Sequence, residues 1–124
     1  MRVKPVEWSH QAKRDAADSA DWYVGQGGLA LGERFLMQVH ATLTRLGQFP
    51  AIGSTRHADC FSDLQAPLRF IPVTQFERYL VYYLNLPTHV EVIRVWNTAS
   101  GLDALMEEPS PSTTSKLPDQ STQD

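Results

Sequence analysis

Residues 68–97 read LRFIPVTQFERYLVYYLNLPTHVEVIRVWN, and this stretch decides the fold. It is rich in branched and aromatic residues, and apolar side chains recur with a period of two. Three strands are expected: Leu68 to Phe76, Tyr79 to Leu86, and Val90 to Asn97. In the second, Leu80, Tyr82 and Leu84 fall on one face, with Val81 and Tyr83 on the other. In the third, Val90, Val92, Arg94 and Trp96 oppose Glu91, Ile93 and Val95. The connectors, Glu77-Arg78 and Pro87-Thr88-His89, are too short for a crossover, so the strands form antiparallel hairpins.

Working toward the N-terminus, residues 50–67 hold Pro50, Gly53, Ser54, Asp59, Ser62, Asp63 and Pro67 and read as a long loop. Such a loop carries function or hides a short helical turn. Before it, Phe35, Leu36, Val39, Leu43 and Leu46 repeat at helical spacing from about Leu29, ended by Gly47 and Pro50. Ala12, Ala16 and Ala20, closed by Tyr23 and Val24, form a thinner stripe on an earlier helix capped by Ser9. Gly25-Gln26-Gly27-Gly28 separates the two helices, so they read as a helical hairpin whose small residues allow close approach. Residues Arg2 to Trp8 alternate as a short strand, placed near an edge by Pro5. Toward the C-terminus, Leu102 to Met106 gives a final helical turn. The sum is an α+β chain of order β-α-α-β-β-β: a helical hairpin on a small, mostly antiparallel sheet, with a short C-terminal helix.

The globular pattern covers residues 1–108. Residues 109–124 are rich in Ser, Thr and Pro, with Leu117 alone apolar. They bury too little surface to offset the entropy of ordering, so a disordered tail is expected. Residues 1–106 carry ten Lys/Arg and ten Asp/Glu; the formal net charge of −3 comes from the segment that follows. The body has no basic excess of the kind that drives sequence-independent nucleic-acid binding. One cysteine, Cys60, excludes an internal disulfide framework, and the chain shows neither an apolar leader nor an 18-residue apolar run. A cytoplasmic, membrane-free protein is expected.

No phosphate-binding glycine loop, dinucleotide fingerprint or nucleophile elbow occurs, and His10, His40, His57 and His89 lack metal-ligand spacing. No cofactor or metal is expected. What remains is arginine among aromatics: Arg56, Arg69, Arg78 and Arg94 with Phe70, Phe76, Tyr79, Tyr82, Tyr83 and Trp96. That chemistry suits macromolecular contact, although aromatics in such strands also build a core. Arg69 and Arg94, inside apolar strands, need a partner or a functional surface.

Taken in order, these segments resemble the ParE branch of the RelE/ParE toxin superfamily. The matching pieces are Val6-Glu7-Trp8-Ser9 with Gln11-Ala12; Arg34-Phe35; Leu43, Leu46 and Pro50; Gly53 with Arg56; Leu68-Arg69, Pro72-Val73 and Phe76; Tyr79-Leu80-Val81-Tyr82-Tyr83; and Val92, Arg94 and Val95. The resemblance implies the toxin of a two-gene type II toxin–antitoxin module, neutralised by a ParD-like antitoxin and directed at DNA gyrase. DNA would be met only through the antitoxin, in a possible hetero-oligomer with it. From the arginine and aromatic chemistry above, Arg56, Arg69, Arg78, Tyr79, Arg94 and Trp96 are the candidate target or partner contacts, and no catalytic residue is expected. RelE-like relatives instead cleave mRNA, using basic residues and an aromatic hydroxyl around the last strand and C-terminal segment. Here Trp96 to Pro109 holds no Lys, Arg, His or Tyr. The chain also carries Asn97-Thr98-Ala99-Ser100-Gly101-Leu102-Asp103 where ParE-like chains have a His-Gly-Ala-Arg-Asp-like turn. A ribonuclease and a detoxified antitoxin-binding co-repressor are the competing expectations.

Overall fold

A computed structural model describes residues 3–60 and 64–101. Four strands and two helices appear in the expected order: β1 (Val6–Trp8), α1 (His10–Gly27), α2 (Leu29–Gln48), β2 (Arg69–Val73), β3 (Phe76–Asn85) and β4 (Val90–Asn97). The loop before β2 contains a 3₁₀ turn at Ala58–Cys60, and another at Thr98–Ser100 follows β4. The sheet order is β1-β4-β3-β2; β1 runs parallel to β4 and the other pairs are antiparallel. The helical turn expected over 102–106 and the tail boundary after 108 lie outside the described residues.

The helical hairpin covers one face of the sheet. Phe35, Val39, Leu43 and Leu46 of α2 and Ala12 and Ala20 of α1 bury against Ile71, Val73, Tyr79, Val81, Tyr83, Val90, Val92 and Val95. A second apolar layer on the opposite face joins Leu68, Leu80, Tyr82, Leu84, Leu86, Ile93 and Trp96. Both faces of β3 and β4 are therefore buried, which is why these strands read as nearly continuous apolar runs.

Several local expectations are corrected. β1 begins at Val6, not Arg2, because Lys4 N–H donates to Gly47 O at 2.9 Å, tying the entering chain to the end of α2. The inter-helix link is one residue, not four. Gly25 and Gly27 stay helical, and Gly28 alone breaks the helix at φ 94°. Its N–H donates to Val24 O and its carbonyl accepts from Leu31 N–H, closing one helix and opening the next. The β2–β3 turn sits at Thr74-Gln75, not Glu77-Arg78. Gln75 takes φ 71° there, and its N–H donates to the Glu77 carboxylate at 3.2 Å. Glu77 and Arg78 lie in a strand end that faces solvent, so their charge marks exposure and not a turn.

The strict alternation expected for β4 also fails. Tyr82 pairs with Arg94 but Tyr83 pairs with Val92, leaving Ile93 as a bulge. The extra residue transfers Val95 to the helix-facing layer and Trp96 to the opposite one.

Close helix approach depends on Gly32. A Cβ there would lie 2.5 Å from Val24 Cγ2 and 2.9 Å from Ala20 O, a backbone atom that cannot swing away. Gly32→Ala should therefore destabilise by about 1–3 kcal/mol of overpacking, outweighing a helix-propensity gain of about 1 kcal/mol. Urea unfolding checks the sign: a more stable variant would mean the helices have room to part.

Candidate interaction surface

The six sequence candidates do not meet in one patch. Arg56 and Arg69 flank the loop that leads into β2. Arg56 is exposed, with its N–H held by Ser54 Oγ at 3.0 Å. Arg69 is half-buried, and its Nη1 donates to Gly53 O at 2.9 Å and Ala51 O at 3.1 Å. Tyr83 grips the same loop from below: its hydroxyl accepts from Gly53 N–H at 2.8 Å and donates to Pro50 O at 2.9 Å. Gly53 is required because a Cβ would sit 2.5 Å from that hydroxyl. Arg69 thus braces the loop with one nitrogen, and no acid pairs with it among the described residues.

Arg78 and Tyr79 lie at the opposite end of the sheet. Arg78 is exposed. Tyr79 is buried at 3% exposure in a ring cluster with Tyr23, Phe35 and Phe76. Trp22, half exposed, is the open edge of that cluster, 5.0 Å from Tyr23. Trp22, Tyr23 and Arg78 line a groove of about 330 Å³ with Gln75, Phe76 and Glu77. Burial raises the Tyr23 phenol, helped by Tyr79, while the nearby Arg78 charge opposes that rise.

Arg94 and Trp96 are buried on β4. Arg94 Nε and Nη2 donate to both carboxylate oxygens of Asp15 at 2.8 and 3.0 Å, and its guanidinium stacks 4.9 Å from the Trp96 ring centre. Asp15 also accepts from Val95 N–H at 3.0 Å. With β1 ended at Trp8, this carboxylate stands where a neighbouring strand would otherwise satisfy β4. Ser9 does the same one step earlier: its hydroxyl accepts from Ala12 N–H as the α1 cap and donates to Ile93 O. Arg94 therefore has the acid partner that its apolar setting required. Trp96 Nε1 donates to Gly101 O at 3.1 Å.

Three features were not among the sequence candidates. Asp15 adjoins the alanine stripe in sequence, the one available signal of an inward-facing acid. Trp22 adjoins Tyr23. His57 stacks on Phe70 at 4.4 Å and shares a 2.9 Å hydrogen bond between Nδ1 and the Tyr82 hydroxyl. Burial lowers the His57 pKa below its ordinary 6.5, with a further push from Arg56. The folded state thus prefers neutral imidazole. The contribution of this latch is full above about pH 6.5 and is lost as pH falls through the lower folded-state value. Loop amides around 55–60 should lose protection on acidification, measured relative to the intrinsic exchange rate at each pH, and His57→Gln should remove that loss; unchanged protection would exclude the latch.

The alanine face of α1 is filled, as close helix approach requires: Ala12, Ala16 and Ala20 are 0–5% exposed. The open groove lies between β1 and α2, lined by Val3, Val6, Trp8, His40, Leu43 and Gly47, with a volume of about 510 Å³. Among the described residues no group of three or more His, Cys, Asp or Glu could hold a metal ion, and no helix is long and apolar enough to cross a membrane.

The sequence model of the ParE toxin of type II toxin–antitoxin systems, parDE, matches residues 6–100. The chain belongs to the ParE toxin family. This ParE-family chain is accordingly the toxin component of a ParE-like type II module. Among solved structures, a chain of the chromosomal ParDE TA system from P. aeruginosa superposes with a TM-score of 0.62 at 15% identity, covering 77% of this chain and 96% of that one. At that identity the likeness is one of fold. No curated protein matches. The ParE match runs across both helices and all four strands.

Proposed function

We propose that this toxin inhibits DNA gyrase by protein–protein contact and is neutralised by a cognate ParD-like antitoxin. The observation that carries the proposal is the ParE family match across residues 6–100. The surface chemistry agrees with it. Arg56, Arg78 and Trp22 are exposed, and arginine and tryptophan are enriched in binding hot spots. Arg56 and Arg78 are the direct contacts in this reading. Arg69 shapes the Arg56 loop, and Tyr79, Arg94 and Trp96 act from beneath the surface. The antitoxin seats on the groove between β1 and α2. There an apolar floor lies beside the outer edge of β1, so a helix or strand finds both side-chain and backbone partners. Antitoxin and gyrase place the protein in the cytoplasm.

The test is induced expression with a DNA-damage reporter in a gyrase-containing host. Growth arrest with the reporter on is expected, and Arg56→Glu or Arg78→Glu should weaken arrest at least tenfold in inducer requirement while leaving antitoxin binding intact. A silent reporter would sink the proposal.

One observation favours a second reading. His57, held neutral beside Arg56 and bonded to the Tyr82 hydroxyl, offers a base and a cation, two parts of metal-free RNA cleavage. Under that reading, arrest would come with the reporter off and with mapped 5′ ends at discrete cuts. Unimpaired growth with tight antitoxin binding would instead indicate a detoxified co-repressor, as the altered 97–103 turn suggests.

A further inference from the structure

The groove between β1 and α2 borders an open strand edge, and that edge carries a charge. Pro5 O accepts from Val90 N–H at 2.9 Å, and Ser9 N–H donates to Val92 O at 2.8 Å. The odd-numbered residues of this segment therefore bond to β4, and the N–H and C=O groups of the even-numbered ones point away from it. The first outward donor, Lys4 N–H, is taken by Gly47 O at 2.9 Å. The outward groups of Val6 and Trp8 meet no strand among the described residues, because β1 ends the sheet.

The two faces of β1 differ in chemistry. Val6 and Trp8 face α2 and line the groove with Leu43 and Gly47. Glu7 faces the other way, in register with Glu91 of β4. Carboxylates opposed across neighbouring strands repel. His89 Nε2 holds Glu91 Oε1 at 3.1 Å but lies 4.0 Å from Glu7 Oε1. The Glu7 side chain is 69% exposed and accepts no hydrogen bond among the described residues.

A strand added to this edge sends alternate side chains to the same two faces. Residues opposite Val6 and Trp8 fall over the groove, where apolar groups fit. The residue between them falls beside Glu7, about 5 Å away between Cβ atoms, where a cation fits. A second copy of β1 does not suit the edge. The antiparallel register that uses all four outward groups sets the two Glu7 carboxylates against each other.

We propose that the segment seated on β1 is an antitoxin strand with an apolar–basic–apolar alternation, its Lys or Arg selected by Glu7 and Glu91. The proposal rests on the antitoxin seat given above and adds the chemistry of the partner. The alternation is the same whether the strand runs parallel or antiparallel to β1. The same acidic pair that recruits the basic residue keeps the free edge from pairing with itself.

The test uses the full chain and its purified cognate antitoxin. Amide exchange reads the seat: Val6 and Trp8 N–H should gain protection in the complex. Affinity reads the charge. Glu7→Gln should weaken binding about threefold and Glu7→Lys at least about tenfold, both effects shrinking as salt is raised. Replacing the antitoxin's paired Lys or Arg by Glu should restore binding to Glu7→Lys. Glu7 is exposed, and a lysine there would stand beside Glu91, so the variant keeps its fold; unchanged core methyl shifts check this. Protected Val6 and Trp8 with undiminished affinity for Glu7→Lys would overturn the proposal and leave the seat standing. Unprotected Val6 and Trp8 would remove the seat and the proposal together; neither result bears on gyrase inhibition by the free toxin. Dimers of the free chain with protected Val6 and Trp8 would make a second copy the occupant and also overturn it.

Discussion

Asp15→Ala should cost about 3–5 kcal/mol of stability, because it strands the Arg94 guanidinium in the interior without its carboxylate. The Arg94 and Asp15 side chains are 9% and 14% exposed, so solvent screens little of the loss. The carboxylate also satisfies Val95 N–H, and an alanine would leave that donor unpaired as well. Arg94→Ala should cost a similar amount by the reverse route. The informative variant is the apolar double replacement, Asp15→Leu with Arg94→Met, which should recover much of the loss since neither charge then needs desolvating. Urea unfolding of the three variants measures this. A cost under about 1 kcal/mol for Asp15→Ala would mean the pair is wet and behaves as a surface salt bridge. The pair fastens α1 to β4 where β1 has ended, so its loss should loosen the helical hairpin against the sheet first.

Phe35→Ala should cost about 3–5 kcal/mol, through lost burial and the cavity left behind. Phe35 is fully buried and touches three other rings, with centroids 5.0 Å from Tyr79, 5.2 Å from Tyr23 and 5.2 Å from Phe76. It is the one ring of that cluster on α2, so it joins both helices to the start of β3. Phe35→Leu, which keeps most of the volume, should cost far less, below about 1.5 kcal/mol. Equal losses for the two variants would show that edge-to-face ring geometry, not filled volume, governs this end of the core. The same variant bears on binding. Collapse of the cluster would withdraw support from Trp22 and deform the groove beside Arg78.

The order of elements was legible because apolar period depends on local sequence alone. Val81 and Tyr83 against Leu80, Tyr82 and Leu84 have to separate onto two faces in any strand. The Ser9 cap and the alanine stripe were legible for the same reason. The bulge at Ile93 was not: isoleucine is equally apolar on either layer, so the pattern carries no mark of an inserted residue. The β2–β3 turn was misplaced because Gln75 adopts a positive φ that its residue type does not advertise. The partner of Arg94 lies 79 residues away, a distance over which sequence pattern is silent. The candidate residues were found by chemistry, as arginines among aromatics. Their division into exposed Arg56 and Arg78, a bracing Arg69, and buried Tyr79, Arg94 and Trp96 depended on which strand face and which end each occupies.

The most direct measurement of the proposed function is a supercoiling reaction with purified gyrase, the purified full chain and relaxed plasmid. The expected result is loss of supercoiling with accumulation of cleaved DNA–gyrase complexes, weakened at least tenfold by Arg78→Glu and abolished by prior addition of the cognate antitoxin. Undiminished supercoiling and no cleaved DNA, at toxin concentrations in large excess over gyrase, would contradict it.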